Sequence, residues 1–406
     1  MASEKDFFES PTLCPAPWTQ VAVDTNDELR PCCFVEPFFK KMSNLKEYWN
    51  CQTLQEIRSS MLNEKWHPAC YKCQIVEENG GVSKRLYESF LIERTFNKED
   101  YRFDLEPISN NEPRVLEIRF GNLCNLKCRM CSPDSSNKIA SEYEILNKDI
   151  DPDLFPIISS PRLQMSTDTL KKYLPSLDAI RIIRILGGEP FLDKECKKFC
   201  QLLVDQQVSE NITIILTTNM TYLNEDWIRL LKKFKNVVLQ FSLDGTDEVI
   251  EYIRDGTSWE EVNQNIHSFL KALPEGRFCF IPCVQAYSVF ALKKVYDFYF
   301  ELKLSYPGHD IVIFPNHLKE PVFLSTNVLP QNMRVLAGQQ LSDLLKETVL
   351  LNEERTHLAS IISTILNQEE ASEKTVTQWR NFTLALDQHR NQSIRKSIPE
   401  LAPLFE

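Results

Sequence analysis

From residue 113 onward, apolar runs of strand length recur at Val115–Phe120, Ala179–Leu186, Ile212–Thr218, Val237–Leu243, Phe278–Ala286 and Ile311–Phe314. Helical stretches separate them at Lys194–Gln206, Glu225–Lys233, Trp259–Lys271 and Ala291–Leu304. Strand and helix in alternation bury their apolar faces against one another as a parallel sheet with right-handed crossovers. The pattern predicts an α/β fold, a partial (βα)6 TIM-like barrel.

The strand faces add a second constraint. Leu239, Phe241 and Leu243 alternate with Gln240, Ser242 and Asp244, and Leu116, Ile118 and Phe120 alternate with Glu117 and Arg119. Successive strand side chains point to opposite faces. Helices cover the apolar face, so the polar face lines the lumen. A closed eight-stranded barrel fills its lumen with branched apolar side chains. A polar lumen therefore predicts an open interior that holds ligand. The structural alternative is a buried Glu117–Arg119 pair serving only the fold.

The flanks differ in character. Residues 12–75 are loop-rich, with short strands at Val21–Val23 and Glu28–Arg30 about a turn at Asp24–Asp27, and a helix near Leu54–Leu62. Residues 80–112 are polar and read as a connector with one helix at Ser83–Phe96. Beyond Ser325, helices are expected at Gln331–Asn352, Arg355–Asn367 and Thr375–Lys396, followed by an extended tail, Pro399–Glu406. The expected division is 1–80, a small α+β domain; 81–112, a helical connector; 113–324, the partial barrel; and 325–406, a C-terminal helical extension.

Composition narrows the chemistry. With 10 glycines in 406 residues, Gly-rich phosphate loops have few places to sit. A net charge of −11 argues against a strong sequence-independent grip on nucleic acid. No apolar run approaches the roughly 18 residues of a membrane span. Met1–Ser10 lacks the apolar core of a signal peptide. The expected location is cytoplasmic, where thiols stay reduced, so the 13 cysteines point to metal or redox chemistry rather than a disulfide frame.

Two cysteine groups have ligand-like spacing. Cys124-Asn-Leu-Lys-Cys128-Arg-Met-Cys131 follows the first barrel strand through Gly121-Asn122-Leu123. It lies at the C-terminal end of a parallel strand, where α/β folds place their sites. Three thiolates hold three irons of a [4Fe–4S] cube and leave the fourth free for another ligand. Structural zinc wants four ligands, and no fourth Cys or His is near in sequence. The second group is Cys14, Cys32, Cys33, Cys70 and Cys73. Cys196 with Cys200, and Cys279 with Cys283, read as core, and Cys51 carries no assigned role.

The three-cysteine loop resembles the signature of radical S-adenosylmethionine (SAM) enzymes, and the resemblance continues over about 210 residues. Gly187-Gly188-Glu189-Pro190 is similar to the family's GGEP motif, and Thr217-Thr218-Asn219 to its ribose-side motif. Ser242-Leu243-Asp244-Gly245 ends the fourth strand, and Arg254 matches an arginine that pairs with the SAM carboxylate. Met130 stands where the family usually has an aromatic residue, against adenine. The resemblance implies catalytic Cys124, Cys128 and Cys131 on a [4Fe–4S] cluster. It implies SAM held by Met130, Gly187, Gly188, Glu189, Thr218, Asn219, Ser242, Asp244 and Arg254, with Glu189 taking the ammonium and the glycines leaving room for the cofactor. Reductive cleavage of SAM to a 5′-deoxyadenosyl radical, which abstracts a substrate hydrogen, is the implied reaction.

Cys14-Pro-Ala-Pro-Trp18, Leu29-Arg-Pro-Cys32-Cys33 and Cys70-Tyr-Lys-Cys73 resemble the twitch module, the shortened relative of the SPASM domain, here preceding the barrel. That resemblance implies an auxiliary [4Fe–4S] cluster on Cys14, Cys32, Cys70 and Cys73, with Cys33 pointing away. The same set also fits structural zinc. An electron-acceptor role for it would require the N-terminal domain to lie across the barrel mouth. The favoured expectation is a radical SAM oxidoreductase acting on a peptide or protein and reduced by a one-electron donor such as flavodoxin or ferredoxin. An activase of a glycyl-radical partner and a noncatalytic metal-stabilised binding module stand beside it.

Overall fold

The computed structural model describes residues 10–26, 28–40, 45–78, 81–95, 105–149, 152–158, 163–173, 177–222, 224–318 and 320–406. Asp27 of the expected turn, and 96–104 of the expected connector, lie outside them. In chain order the strands are β1 (Gln20–Val23), β2 (Glu28–Arg30), β3 (Phe39–Lys40), β4 (Val115–Arg119), β5 (Lys127–Cys128), β6 (Ile182–Leu186), β7 (Thr213–Thr218), β8 (Asn236–Phe241), β9 (Arg254–Asp255), β10 (Arg277–Phe280), β11 (Cys283–Val284), β12 (Asp310–Ile313) and β13 (Asn316–His317).

Nine of them form one sheet, β12-β10-β8-β7-β6-β4-β1-β2-β3. The six strands from β4 to β12 are parallel and stand in sequence order, as six successive βα units require. The sheet has two free ends, so it is an open, partial barrel. Leu239 and Phe241 are buried toward the helices while Gln240 is half-buried on the other face, as the alternation predicts.

The N-terminal segment enters this sheet. β1 runs parallel to β4, with Gln20 opposite Val115 and Val23 opposite Ile118. Asp24 Oδ1 accepts from Asn26 N and Glu28 N, which closes the turn into β2. A small second core, including Leu13, Trp18, Val35, Ile57 and Met61, packs beside it. The boundary at residue 80 therefore marks a second core and not a second sheet.

The expected connector has a different role. Its helix, Lys84–Thr95, fills the lower lumen. Glu88 takes Arg184 of β6 through both oxygens, one contact at 2.7 Å, and Lys84 Nζ lies 3.0 Å from Glu88 and 3.4 Å from Glu117 of β4. Gln240 donates to the Tyr87 hydroxyl at 3.3 Å and accepts from Thr217 at 2.9 Å. Beside them Val115, Ile182 and Ile215 form a small buried apolar cluster. The polar lumen is thus partly a charge layer that receives this helix. Glu117 pairs with Lys84 and Arg184 and not with Arg119, whose Nη1 reaches Ser135 instead.

The C-terminal region departs from expectation at three places, one being that the expected Thr375–Lys396 helix ends at Arg390, where Asn391 is left-handed, and a short helix follows at Ile394–Ser397. The Gln331–Asn352 helix breaks after Ser342, and a new helix starts at Asn352 with Glu354 buried, accepting from Tyr299 Oη and Ile313 N. The tail is a 3-10 helix, Pro399–Phe405, with Leu401 and Phe405 buried. Among the described residues no helix is long and apolar enough to cross a membrane.

Candidate active site

The three-cysteine loop leaves β4 at its C-terminal end and is fixed by its own backbone. Cys124 N donates to Asn137 Oδ1 at 2.9 Å. β5 pairs antiparallel with β9, which sets Cys128 opposite Arg254. Gly187 and Gly188 have φ of +80° and +50°. A Cβ on Gly188 would come 2.4 Å from Leu123 O, and one on Gly187 would come 2.5 Å from Arg119 Cγ. Glu189 N donates to Leu123 O at 2.8 Å. The glycines therefore let this turn press against the entry to the cysteine loop, which differs from the expected role of making room for the cofactor. A side chain at either position would meet backbone or the Arg119 stem.

Donors surround the sulfurs. Arg254 Nη1 lies 3.6 Å from Cys128 Sγ, and Asn219 Nδ2 lies 3.8 Å from Cys124 Sγ. Arg254 also pairs with Asp244 at 2.6 Å, whose other oxygen accepts from Cys283 N. Arg254 Nε is buried without a hydrogen-bond partner. Burial pushes the Cys124 thiol up to about 12. The Cys131 thiol donates to Cys128, which, with Arg254 and Arg390 acting against burial, holds Cys128 down at about 7. Cationic and amide donors facing thiols suit an anionic iron–sulfur group.

Glu189 is more committed than expected. Its Oε1 accepts from Thr218 Oγ1 at 2.9 Å and Phe191 N at 3.2 Å, and its Oε2 accepts from Asn219 N at 2.8 Å. A carboxylate offers about four lone-pair sites, so one remains, on Oε2. Burial pushes Glu189 up to about 7 against these donors. Met130 is buried, Ser242 is half-buried, and Ser242 N donates to Thr218 O. The structure thus gathers Glu189, Thr218, Asn219, Asp244 and Arg254 about the cysteine loop.

Cys14, Cys32, Cys70 and Cys73 line one cavity with about 480 Å³ of space not filled by protein atoms, part of it open to solvent. Burial pushes Cys14 well above its ordinary range, and Cys32, Cys73 and Cys70 each add to the effect. Cys70 is pushed up to about 12 by burial and Cys73. Cys33 does not line that cavity. The cavity lies beyond the start of β1, whereas Cys124 follows the end of β4, its parallel partner. Five strand residues, roughly 17 Å, separate the two levels. The set stands at the opposite end of the strands, not across the mouth. Among the described residues, no three His, Cys, Asp or Glu side chains are gathered as a single metal ion requires.

Cys196, Cys200 and Cys279 are buried in the core, as expected. Cys283 is half-buried and packs against that core; Ile281 and Pro282 separate it from β10, and its thiol is pushed up by burial and then by Asp244, with Arg254 and Cys128 also in range. Sequence reading also missed Asn125, which accepts from Asn219 and donates to Thr221, and Arg129, held from the C-terminal region. Asn125 lies inside the loop, and its place there was its one signal.

Residues 118–298 match the sequence pattern of the Radical SAM superfamily. The molybdenum cofactor biosynthesis protein 1 of Dictyostelium discoideum is 27% identical over 176 residues, 43% of this chain and 25% of that protein. Among solved structures, hexahistidine-tagged anSMEcpe with bound AdoMet is similar with a TM-score of 0.41 and 20% identity, over 58% of this chain and 59% of that one. Streptococcus suis SuiB bound to S-adenosylmethionine gives 0.39 and 13%, over 72% and 52%. The chain spans about a quarter of the length of the curated relative it matches.

Proposed function

We propose that this chain, whose residues 118–298 are a radical SAM superfamily domain, holds a [4Fe–4S] cluster on Cys124, Cys128 and Cys131 and cleaves SAM reductively to oxidise a peptide or protein. The observation that carries this reading is the set of donors aimed at the loop sulfurs, Arg254 on Cys128 and Asn219 on Cys124, beside a Glu189 with one lone pair left. A cluster on Cys124, Cys128 and Cys131 would supply the electron for reductive cleavage of SAM, and the chemistry it would open is hydrogen abstraction from the substrate. Glu189 Oε2 accepts from the ammonium. Arg254 orients the carboxylate as a permanently charged donor. Asn219 holds the ribose side while keeping Cys124 in place. A one-electron donor such as flavodoxin or ferredoxin supplies the reductant.

The four-cysteine cavity supports an auxiliary [4Fe–4S] cluster in this reading: Cys14, Cys32, Cys70 and Cys73 wall one space, which Cys33 does not line. The test is anaerobic reconstitution with iron and sulfide, then SAM with dithionite. 5′-Deoxyadenosine and methionine are expected from the wild type and neither from Cys128→Ala. No 5′-deoxyadenosine from a protein that holds its iron would overturn the reading.

A further inference from the structure

The inward faces of the barrel strands stack in layers, and two neighbouring layers differ in charge. In the lower one Glu117 of β4 stands in register with Arg184 of β6, and Arg184 with Ile215 of β7. All three are buried. The charges here cancel: Lys84 and Arg184 both lie within ion-pair reach of Glu88 and of Glu117.

Two residues further along the strands the layer is Arg119, Leu186, Thr217 and Gln240, with Arg119 in register with Leu186 and Thr217 with Gln240. These four are half-buried. Partial exposure above a buried layer means that open space at the C-terminal ends of the strands reaches down to this level. The Tyr87 hydroxyl closes it from below through Gln240. Arg119 carries the charge of this upper layer. Among the described residues it forms no ion pair, and its one hydrogen bond runs from Nη1 to Ser135 Oγ at 3.4 Å. Its stem leaves β4 alongside the turn that carries Glu189: a Cβ on Gly187 would come 2.5 Å from Arg119 Cγ and 3.2 Å from Cδ.

A guanidinium offers five N–H donors in a rigid fork that matches a carboxylate. Here a neutral hydroxyl engages one of them. In the proposed reading SAM's own carboxylate goes to Arg254, which Asp244 already accompanies. An ion pair in a partly desolvated space is stronger than one in bulk water, and Leu186 beside the arginine gives the stem of an acidic side chain an apolar surface. We propose that Arg119 determines specificity by anchoring an anionic substrate: the chamber takes a peptide through a carboxylate, of an Asp or Glu side chain or of the C-terminus. The proposal rests on the reading that this chain oxidises a peptide or protein.

The experiment is selection from a synthetic library of short random peptides on the reconstituted full chain saturated with SAM. The library is made once with amidated and once with free C-termini. Enrichment of Asp and Glu among amidated peptides identifies the side chain as the anchor; retention of the free-acid library alone identifies the C-terminus. Arg119→Met should lower retention of the carboxylate-bearing peptides about tenfold, the scale of one lost charge-assisted hydrogen bond. Arg119→Lys should keep most of the preference, and Arg119→Glu should turn it toward Lys and Arg. SAM affinity of Arg119→Met, measured by calorimetry, should equal that of the wild type. The same selection by wild type and Arg119→Met, or a wild type without preference for carboxylates, overturns the proposal. A tenfold loss of SAM affinity in Arg119→Met makes the arginine a cofactor contact and overturns it as well. If Arg119→Met does not fold, the Lys and Glu variants decide in the same way. A wild type that holds its iron and forms no 5′-deoxyadenosine refutes the functional reading, whereas the selection needs no turnover and judges the anchor by itself.

Discussion

At the three-cysteine loop, nitrogen donors face the sulfurs: Arg254 beside Cys128 and Asn219 beside Cys124. At the four-cysteine cavity Cys14, Cys32, Cys70 and Cys73 share the lining with Ala16, Pro17, Val35, Ile57 and Met61 and with the charged Lys72, Lys84, Arg85 and Glu88. The first arrangement tolerates thiols and an exchanging ligand. The second places Cys14, Cys32 and Cys73, all buried, and the half-buried Cys70 on one cavity, where burial favours the neutral thiols of Cys14, Cys32 and Cys70. In the proposed reading the first site binds SAM and the second holds an auxiliary group.

Metal content is the most drastic way to break this contrast. The reconstituted chain should carry roughly 8 irons, and the triple alanine variant at Cys124, Cys128 and Cys131 roughly 4. Chelation should open the small core of Leu13, Trp18, Ile57 and Met61 to hydrogen exchange while the β6–β7–β8 ladder stays protected. Stoichiometric zinc in the four-cysteine set would remove the auxiliary cluster from the reading.

Next in size is the charge layer between the two sites. Glu88→Gln leaves Arg184 buried beside a neutral partner, and breaking such a pair costs about 3–5 kcal/mol, measured by urea unfolding of the metal-free chain. Burial raises Glu88, yet Arg184 and Lys84 outweigh it and hold it at about 2. Its folded pKa is below its unfolded one, so its stabilisation is full above roughly pH 4.3 and is lost as pH falls through 2. The Gln variant should lose that acid-dependent component.

Smaller effects sharpen the assignment of the working site. Glu189→Gln and Arg254→Ala each remove a charge-assisted contact of about 1.5–3 kcal/mol, so SAM affinity measured by calorimetry should fall about tenfold or more with iron retained. Unchanged affinity in both variants would place SAM elsewhere. The smallest expected effect is the most discriminating: because the four-cysteine set lies at the opposite end of the strands from the three-cysteine loop, Cys70→Ala or Cys73→Ala should leave both SAM cleavage and product formation at the wild-type rate in soluble protein. If cleavage is lost in soluble protein, the cavity supports the barrel and not the reaction.

The six βα units and the cysteine loop were legible because their signals are local: strand alternation is written in neighbouring residues, and ligand spacing within eight. The lumen helix was not. Lys84 and Glu88 read as part of a polar connector until Glu117 and Arg184, about 30 and 100 residues away, are brought against them. The strand faces gave half of that information, since Glu117 and Gln240 were known to point inward, but not what would meet them. The close approach of the Gly187-Gly188 turn to Leu123 was not legible, because it is a property of packing. Arg129 looked like a spacer between ligands.

That arginine carries a consequence for how the protein is made. Its partner Asp387 is 258 residues further along the chain. At a synthesis rate of about 5–20 residues per second, the cysteine loop leaves the ribosome roughly 13–50 s before the residue that anchors it exists. During that interval the thiols of Cys124, Cys128 and Cys131 sit on a loop that lacks its rear fastening, open to oxygen and to adventitious metals. Insertion of the cofactor before the last helix docks and insertion after it are then different events. A chain cut before Glu373 is stalled permanently in the first condition.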